Sequence, residues 1–300
     1  MSKKNSLFKQ KKVIVTGGEG FIGRALIGRL ENNGAKVISL DKKNGYDLCD
    51  WNKISLIKNI NKIDCLYHLA AVSFVPYAWK NPRNTYHVNL LSMINVLELC
   101  RIKGIKKLVI MSSYIYGQPQ YLSIDENHPT SPTNPYMWSK FLCEQLCHGY
   151  ARDFGIKVVI LRPFNVYGAG QRDDFLIPSI IKQVQKSSEV ILIDLRPKRD
   201  FLYIDDMIDA LLAVGNYDVK SVEIFNIGFG KSWSIRELVK HLAEASDKKI
   251  RVVSKNIKRK DEILDVVADI GKAKTLLKWS PKISIEEGIK RVWEGRPSDL

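Results

Sequence analysis

Through the first half of the chain, short apolar runs alternate with longer stretches of mixed polarity. Residues 13–16, 37–40, 65–69, 107–111 and 158–161 are apolar with little alternation, which predicts strands covered by helices on both faces. Between them, apolar side chains recur at helical spacing over 22–32, 51–59, 82–103 and 135–154. Strands alternating with helices are the mark of βαβ units, and right-handed crossovers wind such units into a doubly wound parallel sheet. The expected fold class is α/β.

Past Arg162 the rhythm loosens. A loop rich in Gly, Asp and Arg covers 168–174, followed by a helical stretch at 175–186 and a short strand at 190–195. This predicts a main domain over 1–166 and a smaller C-terminal lobe over 167–300. Segments 200–214 and 223–227 are expected to return to the sheet region, so the two parts are interleaved. The chain carries no internal repeat and no low-complexity tract.

Composition changes this picture little. With 45% hydrophobic and 26% charged residues in 300, the chain has the make-up of a soluble globular protein. No apolar run approaches the roughly 20 residues that span a bilayer, and the polar, basic residues 1–12 do not read as a secretory signal. A cytoplasmic location without a membrane partner is expected. The five cysteines are odd in number and form no CxxC pair, which argues against a disulfide framework or a metal site. A net charge of +15 raises nucleic-acid binding as a class, but the lysines fall in scattered pairs such as Lys11–Lys12, Lys42–Lys43 and Lys248–Lys249. Attraction of a pyrophosphate-bearing substrate, or solubility, explains them, and no nucleic-acid partner is expected.

The first chemistry-bearing motif follows the first strand, where Gly17, Gly20 and Gly23 stand as GxxGxxG. Glycine at a strand-to-helix turn tolerates the backbone angles required and lets a pyrophosphate approach the amides of the helix N-terminus. Asp41 ends the second strand, 18 residues beyond Gly23, where a carboxylate accepts ribose hydroxyls and repels a 2′-phosphate. The expected cofactor is therefore NAD rather than NADP, although Lys42 and Lys43 soften that repulsion. These features make 1–166 a Rossmann-type dinucleotide-binding domain and 167–300 a substrate lobe. Asp47 and Leu48 lie where they would meet the adenine, Leu69, Ala70 and Ala71 allow close approach, and His68 is read as a packed structural residue.

The second motif is Tyr136-Met137-Trp138-Ser139-Lys140, whose phenol and ammonium share a helix face. A neighbouring cation favours the phenolate, so Tyr136 can take or return a hydroxyl proton. Ser112 and Ser113 directly follow the strand at 107–111, at the carboxyl edge where open α/β sheets bind ligands. Ser112 is expected to hydrogen-bond the same substrate oxygen as Tyr136.

Taken together, the motifs resemble the extended short-chain dehydrogenase/reductases of the NAD-dependent epimerase/dehydratase group, which act on nucleotide-sugars. The resemblance runs through TGGEGFIG at 16–23, HLAA at 68–71, SSYIYG at 112–117, NPYMWSK at 134–140, LRPFNVYG at 161–168, RDFLYIDD at 199–206 and FNIGFGKSWSI at 225–235. It implies a catalytic set of Tyr136, Lys140 and Ser112. It also implies a cofactor site built from Gly17, Gly20, Phe21, Ile22, Gly23, Asp41, Asp47, Leu48, Leu69, Ala70, Ala71, Tyr136, Lys140 and Pro163. The substrate, a UDP- or GDP-linked sugar, is implied to meet Ser73, Ser113, Asn165, Arg199 and Arg259.

One departure narrows the chemistry. Dehydratases of the group carry an Asp-Glu pair after the catalytic hydroxyl, whereas Ser113 and Tyr114 stand here. What remains is hydride and one proton at C4 of the sugar, either as a UDP-glucose 4-epimerase-like reaction or as reduction or oxidation like that of GDP-4-keto-6-deoxymannose reductases. A non-catalytic NAD-sensing or nucleic-acid-binding protein is the remote alternative. A homodimer is expected, because the apolar stripes at 89–101 and 137–154 exceed what one sheet face covers.

Overall fold

Residues 8–58, 60–257 and 262–295 are described by the structure, a computed structural model. The apolar runs become β1 (Lys12–Thr16), β2 (Lys36–Leu40), β3 (Cys65–His68), β4 (Lys107–Met111) and β5 (Lys157–Pro163), all paired in parallel. The helices between them are α1 (Phe21–Asn32), α2 (Trp51–Ser55), α3 (Val75–Lys80), α4 (Pro82–Lys103) and α5 (Pro135–Phe154). Period-two alternation sorts the strand side chains into two cores. Val13, Val15, Tyr67, Val109 and Met111 pack with Leu26 and Leu30 of α1 on one face. Ile14, Leu66, Leu108 and Ile110 pack with Val96 of α4 and Cys143 and Cys147 of α5 on the other.

Helix α2 is shorter than its spacing predicts. Asp50 caps it by accepting from Asn52 N and Lys53 N, and the helix ends at Ser55. Ile57, Ile60 and Ile63 are still buried, but in a non-helical return to β3.

The second half adds β6 (Asn165–Tyr167), α6 (Leu176–Lys186), β7 (Glu189–Leu192), β8 (Lys198–Tyr203), α7 (Ile204–Asn216), β9 (Val222–Ile227), β10 (Ser232–Ser234), α8 (Ile235–Ser246), β11 (Arg251–Ser254) and α9 (Ile285–Trp293). β9 pairs in parallel with β5, so the main sheet runs β2-β1-β3-β4-β5-β9. The stretch predicted at 200–214 divides in two. Its strand, β8, joins β6 and β10 in a separate three-stranded sheet, while Met207 and Leu211 of α7 enter the same core as α1. β7 and β11 form a third, two-stranded parallel sheet.

Asp200, fully buried on β8, ties the small sheet to the rest of the lobe. Its carboxylate accepts from Phe229 N at 2.6 Å, Gly230 N at 2.9 Å and Ala268 N at 3.0 Å. Burial lifts this carboxyl to about 6, against the pull of the three amides. Gly228 is obligatory beside it, since a Cβ there would sit 2.6 Å from the Cβ of Ala268 and 2.9 Å from the carboxylate.

Candidate active site

The carboxyl ends of β1 to β5 converge on one edge of the sheet. At the end of β1, Gly17 takes φ +71°, and a Cβ there would lie 2.7 Å from Ala70 N. A Cβ on Gly23 would stand 2.1 Å from the Gly17 carbonyl oxygen, so only glycine lets α1 seat against the turn. Gly20 is the N-cap of α1 and offers no side chain, which leaves the first amides of the helix facing outward. Phe21 and Ile22, half-buried, open the helix.

Asp41 closes the end of β2. Its carboxylate accepts from Glu19 N at 3.1 Å and Lys43 N at 2.9 Å, which sets it against the glycine turn. Lys42 instead reaches Asp47 at 3.0 Å. The amide of Cys49 and this lysine hold the Asp47 carboxyl below its ordinary range. Gly17, Gly20, Asp41, Asp47, Leu48, Leu69, Ala70 and Ala71 line one cleft of about 570 Å³. Open helix amides and missing Cβ atoms fit a nicotinamide dinucleotide. Pro163, at the end of β5, is buried.

Helix α5 starts where Asn134 caps it, its side chain accepting from Met137 N at 2.9 Å, with Pro135 at the first position. That start puts Tyr136 and Lys140 one turn apart. Tyr136 is half-buried and Lys140 only 5% exposed. Burial raises the phenol above its ordinary value, opposed by a hydrogen bond with Ser113. Burial lowers Lys140, opposed by Cys143 and Glu144. Ser139 donates to the Tyr136 carbonyl at 2.7 Å and accepts from Asn89 at 2.8 Å. Asn89 also grips both main-chain groups of Val72, so α4, α5 and the loop after β3 share one anchor.

His68 is buried and bonded through Nδ1 to Thr16 Oγ1 at 2.8 Å, its partner in the β1–β3 register. Burial, with Lys140 nearby, depresses its imidazole to about 3. It is a neutral structural residue, as the sequence suggests.

The two serines divide differently from expectation. The β4–β5 ladder runs one residue further, with Ser112 N donating to Leu161 O at 2.8 Å. Ser112 therefore follows Ile110 onto the face covered by α5, where it is 1% exposed and donates to Glu144. The hydroxyl that meets Tyr136 is that of Ser113. The strand run alone does not reveal this extra ladder bond. The buried partner of Ser112, Glu144, and the Arg162 that grips it are not among the expected site residues; a glutamate one turn past Lys140 is the available signal.

A second cleft of about 450 Å³ adjoins the first through Ala71 and Val72, and Ser73, Phe74, Tyr77, Lys80 and Arg172 line it. The Arg172 guanidinium lies 5.2 Å from the Phe74 ring, which in turn packs 5.6 Å from Phe175. Asn165 donates to Asp200 O at 3.2 Å. Arg199 is engaged by Glu262 and by the carbonyls of Lys198 and Ile263. Arg259 lies outside the described residues. Among those residues, no helix is long and apolar enough to cross a membrane.

Residues 13–228 match the model of the NAD dependent epimerase/dehydratase family. A Methanocaldococcus jannaschii protein provisionally named UDP-glucose 4-epimerase is 36% identical over 302 residues, covering 93% of this chain and 96% of the relative. The GDP-6-deoxy-D-mannose reductase of Pseudomonas aeruginosa is 29% identical over 300 residues, covering 95% and 98%. The crystal structure of a UDP-glucose 4-epimerase with UDP-glucose, from Thermotoga maritima, superposes with a TM-score of 0.89 at 28% identity, covering 95% and 98%.

Proposed function

The chain belongs to the NAD-dependent epimerase/dehydratase family, and from that premise we propose that it is a UDP-sugar 4-epimerase working by hydride and proton transfer at C4. One observation carries the reading: a half-buried phenol one helical turn from buried Lys140, on a helix that Ser139 and Asn89 tie to Val72 in the wall of the glycine-lined cleft. A nicotinamide dinucleotide bound in that cleft supplies the hydride acceptor and donor. Tyr136 exchanges the C4 hydroxyl proton, Ser113 orients that hydroxyl, and Lys140 holds the ribose. Asn165, Arg199 and Arg259 meet the diphosphate, with Arg199 giving up Glu262 in exchange.

Asp41 against the glycine turn supports a tightly held NAD and hence epimerisation. Likeness to a GDP-6-deoxy-D-mannose reductase over 98% of that relative's length supports a second reading, reduction of a 4-keto sugar. Incubating the purified protein with UDP-galactose, without added cofactor, separates them. Formation of UDP-glucose is expected, and Tyr136→Phe is expected to slow it by about 10²–10⁴-fold. Turnover only of a 4-keto sugar with added reduced cofactor would establish the second reading, and an undiminished Tyr136→Phe would end both.

The working unit is read as a homodimer. Trp138 and Leu142 on α5, with Ile94 and Ile102 on α4, are 36–52% exposed on adjacent helices, a face that a second copy would cover. Five unpaired thiols suit a reducing cytoplasm.

A further inference from the structure

Behind the catalytic edge lies a buried charge pair that proton transfer does not use. Glu144 stands one turn beyond Lys140 on α5 and is 1% exposed; Arg162, at the end of β5, is 4% exposed. They meet as a fork, Arg162 Nη2 to Glu144 Oε2 at 2.7 Å and Nε to Oε1 at 3.0 Å. The remaining arms are also taken. Glu144 Oε1 accepts from Ser112 Oγ, and Arg162 Nη1 donates to Tyr116 OH at 2.9 Å. Tyr116 passes the chain on to Asn226 at 2.6 Å, and Asn226 donates to Ile124 O at 2.9 Å.

As a source of stability such a pair is a poor choice, because desolvating two charges offsets most of their attraction. What the fork supplies is direction. It joins α5, which carries Tyr136 and Lys140, to the last ladder residue of β4, whose neighbour Ser113 meets the phenol. We propose that the Glu144–Arg162 pair is a positioning device: it clamps Ser112 beneath the end of β4 and thereby holds the Ser113 hydroxyl against Tyr136. This rests on the reading of Ser113 and Tyr136 as the groups that share the sugar hydroxyl. Proton transfer is unforgiving here, since a displacement of about 1 Å costs roughly a hundredfold in rate.

Glu144→Gln would strand the buried Arg162 charge and endanger folding, so Ser112→Ala carries the test. The full chain with its bound dinucleotide is compared as wild type, Ser112→Ala, Ser113→Ala and the double variant, using UDP-galactose. Ser112→Ala is expected to lower kcat by about tenfold with KM within about twofold, and to add nothing in the Ser113→Ala background. Independent losses in the double variant would overturn the proposal, as would a Ser112→Ala defect confined to KM. Crystal structures of wild type and Ser112→Ala form the second arm. The Ser113 hydroxyl is expected to leave Tyr136 in the variant, and an unmoved Ser113 would overturn the clamp. That arm decides even for a protein inert toward nucleotide-sugars, so failure of the functional reading is told apart from failure of the positioning.

Discussion

His68 shows how a single side chain couples the site to pH. Its folded value of about 3 lies far below the 6.5 of an unfolded imidazole. Below pH 6.5 the unfolded chain binds a proton that the folded one refuses, so stability falls as the pH drops from 6.5 toward 3. At pH 4.5 the loss is on the order of 2–3 kcal/mol relative to neutral pH. Denaturant titrations at the two pH values should show wild type losing that much more than His68→Gln, whose side chain does not titrate. Asp41 allows a second residue-scale prediction. Its carboxylate braces the Glu19 amide at the glycine turn, so Asp41→Ala should weaken NADH binding by about tenfold, the worth of one charge-assisted bond. The same change should leave NADPH binding unchanged or improved, and fluorescence titration of both nucleotides checks it. The placement of these residues was legible from motif spacing, because Tyr136 and Lys140 one turn apart, Asp41 at its strand end and the glycine turn are matters of local geometry. That Ser112 turns toward Glu144 was not legible: it depends on a ladder bond to Leu161, 49 positions away in sequence.

Among the elements, the turn between β1 and α1 is the most tightly specified. With 2.1 Å between a Gly23 Cβ and the Gly17 carbonyl, Gly23→Ala forces α1 off the sheet. A loss of about 2 kcal/mol in unfolding free energy is expected, together with weaker NADH binding. Thermal denaturation with and without nucleotide measures both. The strands and the long helices were legible because α/β layers bury whole faces and leave continuous apolar runs or 3.6-residue periods. Helix α2 misled, since Ile54, Ile57 and Ile60 keep helical spacing while a loop buries the last two. The small sheet of β6, β8 and β10 was not legible: β6 and β10 have three residues each, too few to declare a period, and β8 opens on the charged run Lys198-Arg199-Asp200.

On the scale of the whole molecule, one buried carboxylate joins β8 to the segment after β9 and to the stretch before α9. Asp200→Ala leaves three buried amides without an acceptor. It should cost on the order of 3 kcal/mol, read by urea unfolding, with substrate affinity lost before dinucleotide affinity. The assembly prediction belongs here too. Trp138→Glu places a charge on the apolar face of α5, and light scattering should find a dimer for wild type and a monomer for the variant. Finally, β9 has a practical consequence for anyone wishing to transplant substrate preference between relatives. It zips along β5 over six residues after the chain has already visited the lobe, while α7 has slid in beside α1. A cut at residue 166 would strip the sheet of its last strand and expose a long sticky margin, so that fragment should aggregate when expressed alone. A working chimera needs two splice points, one before the lobe and one after the chain re-enters the sheet.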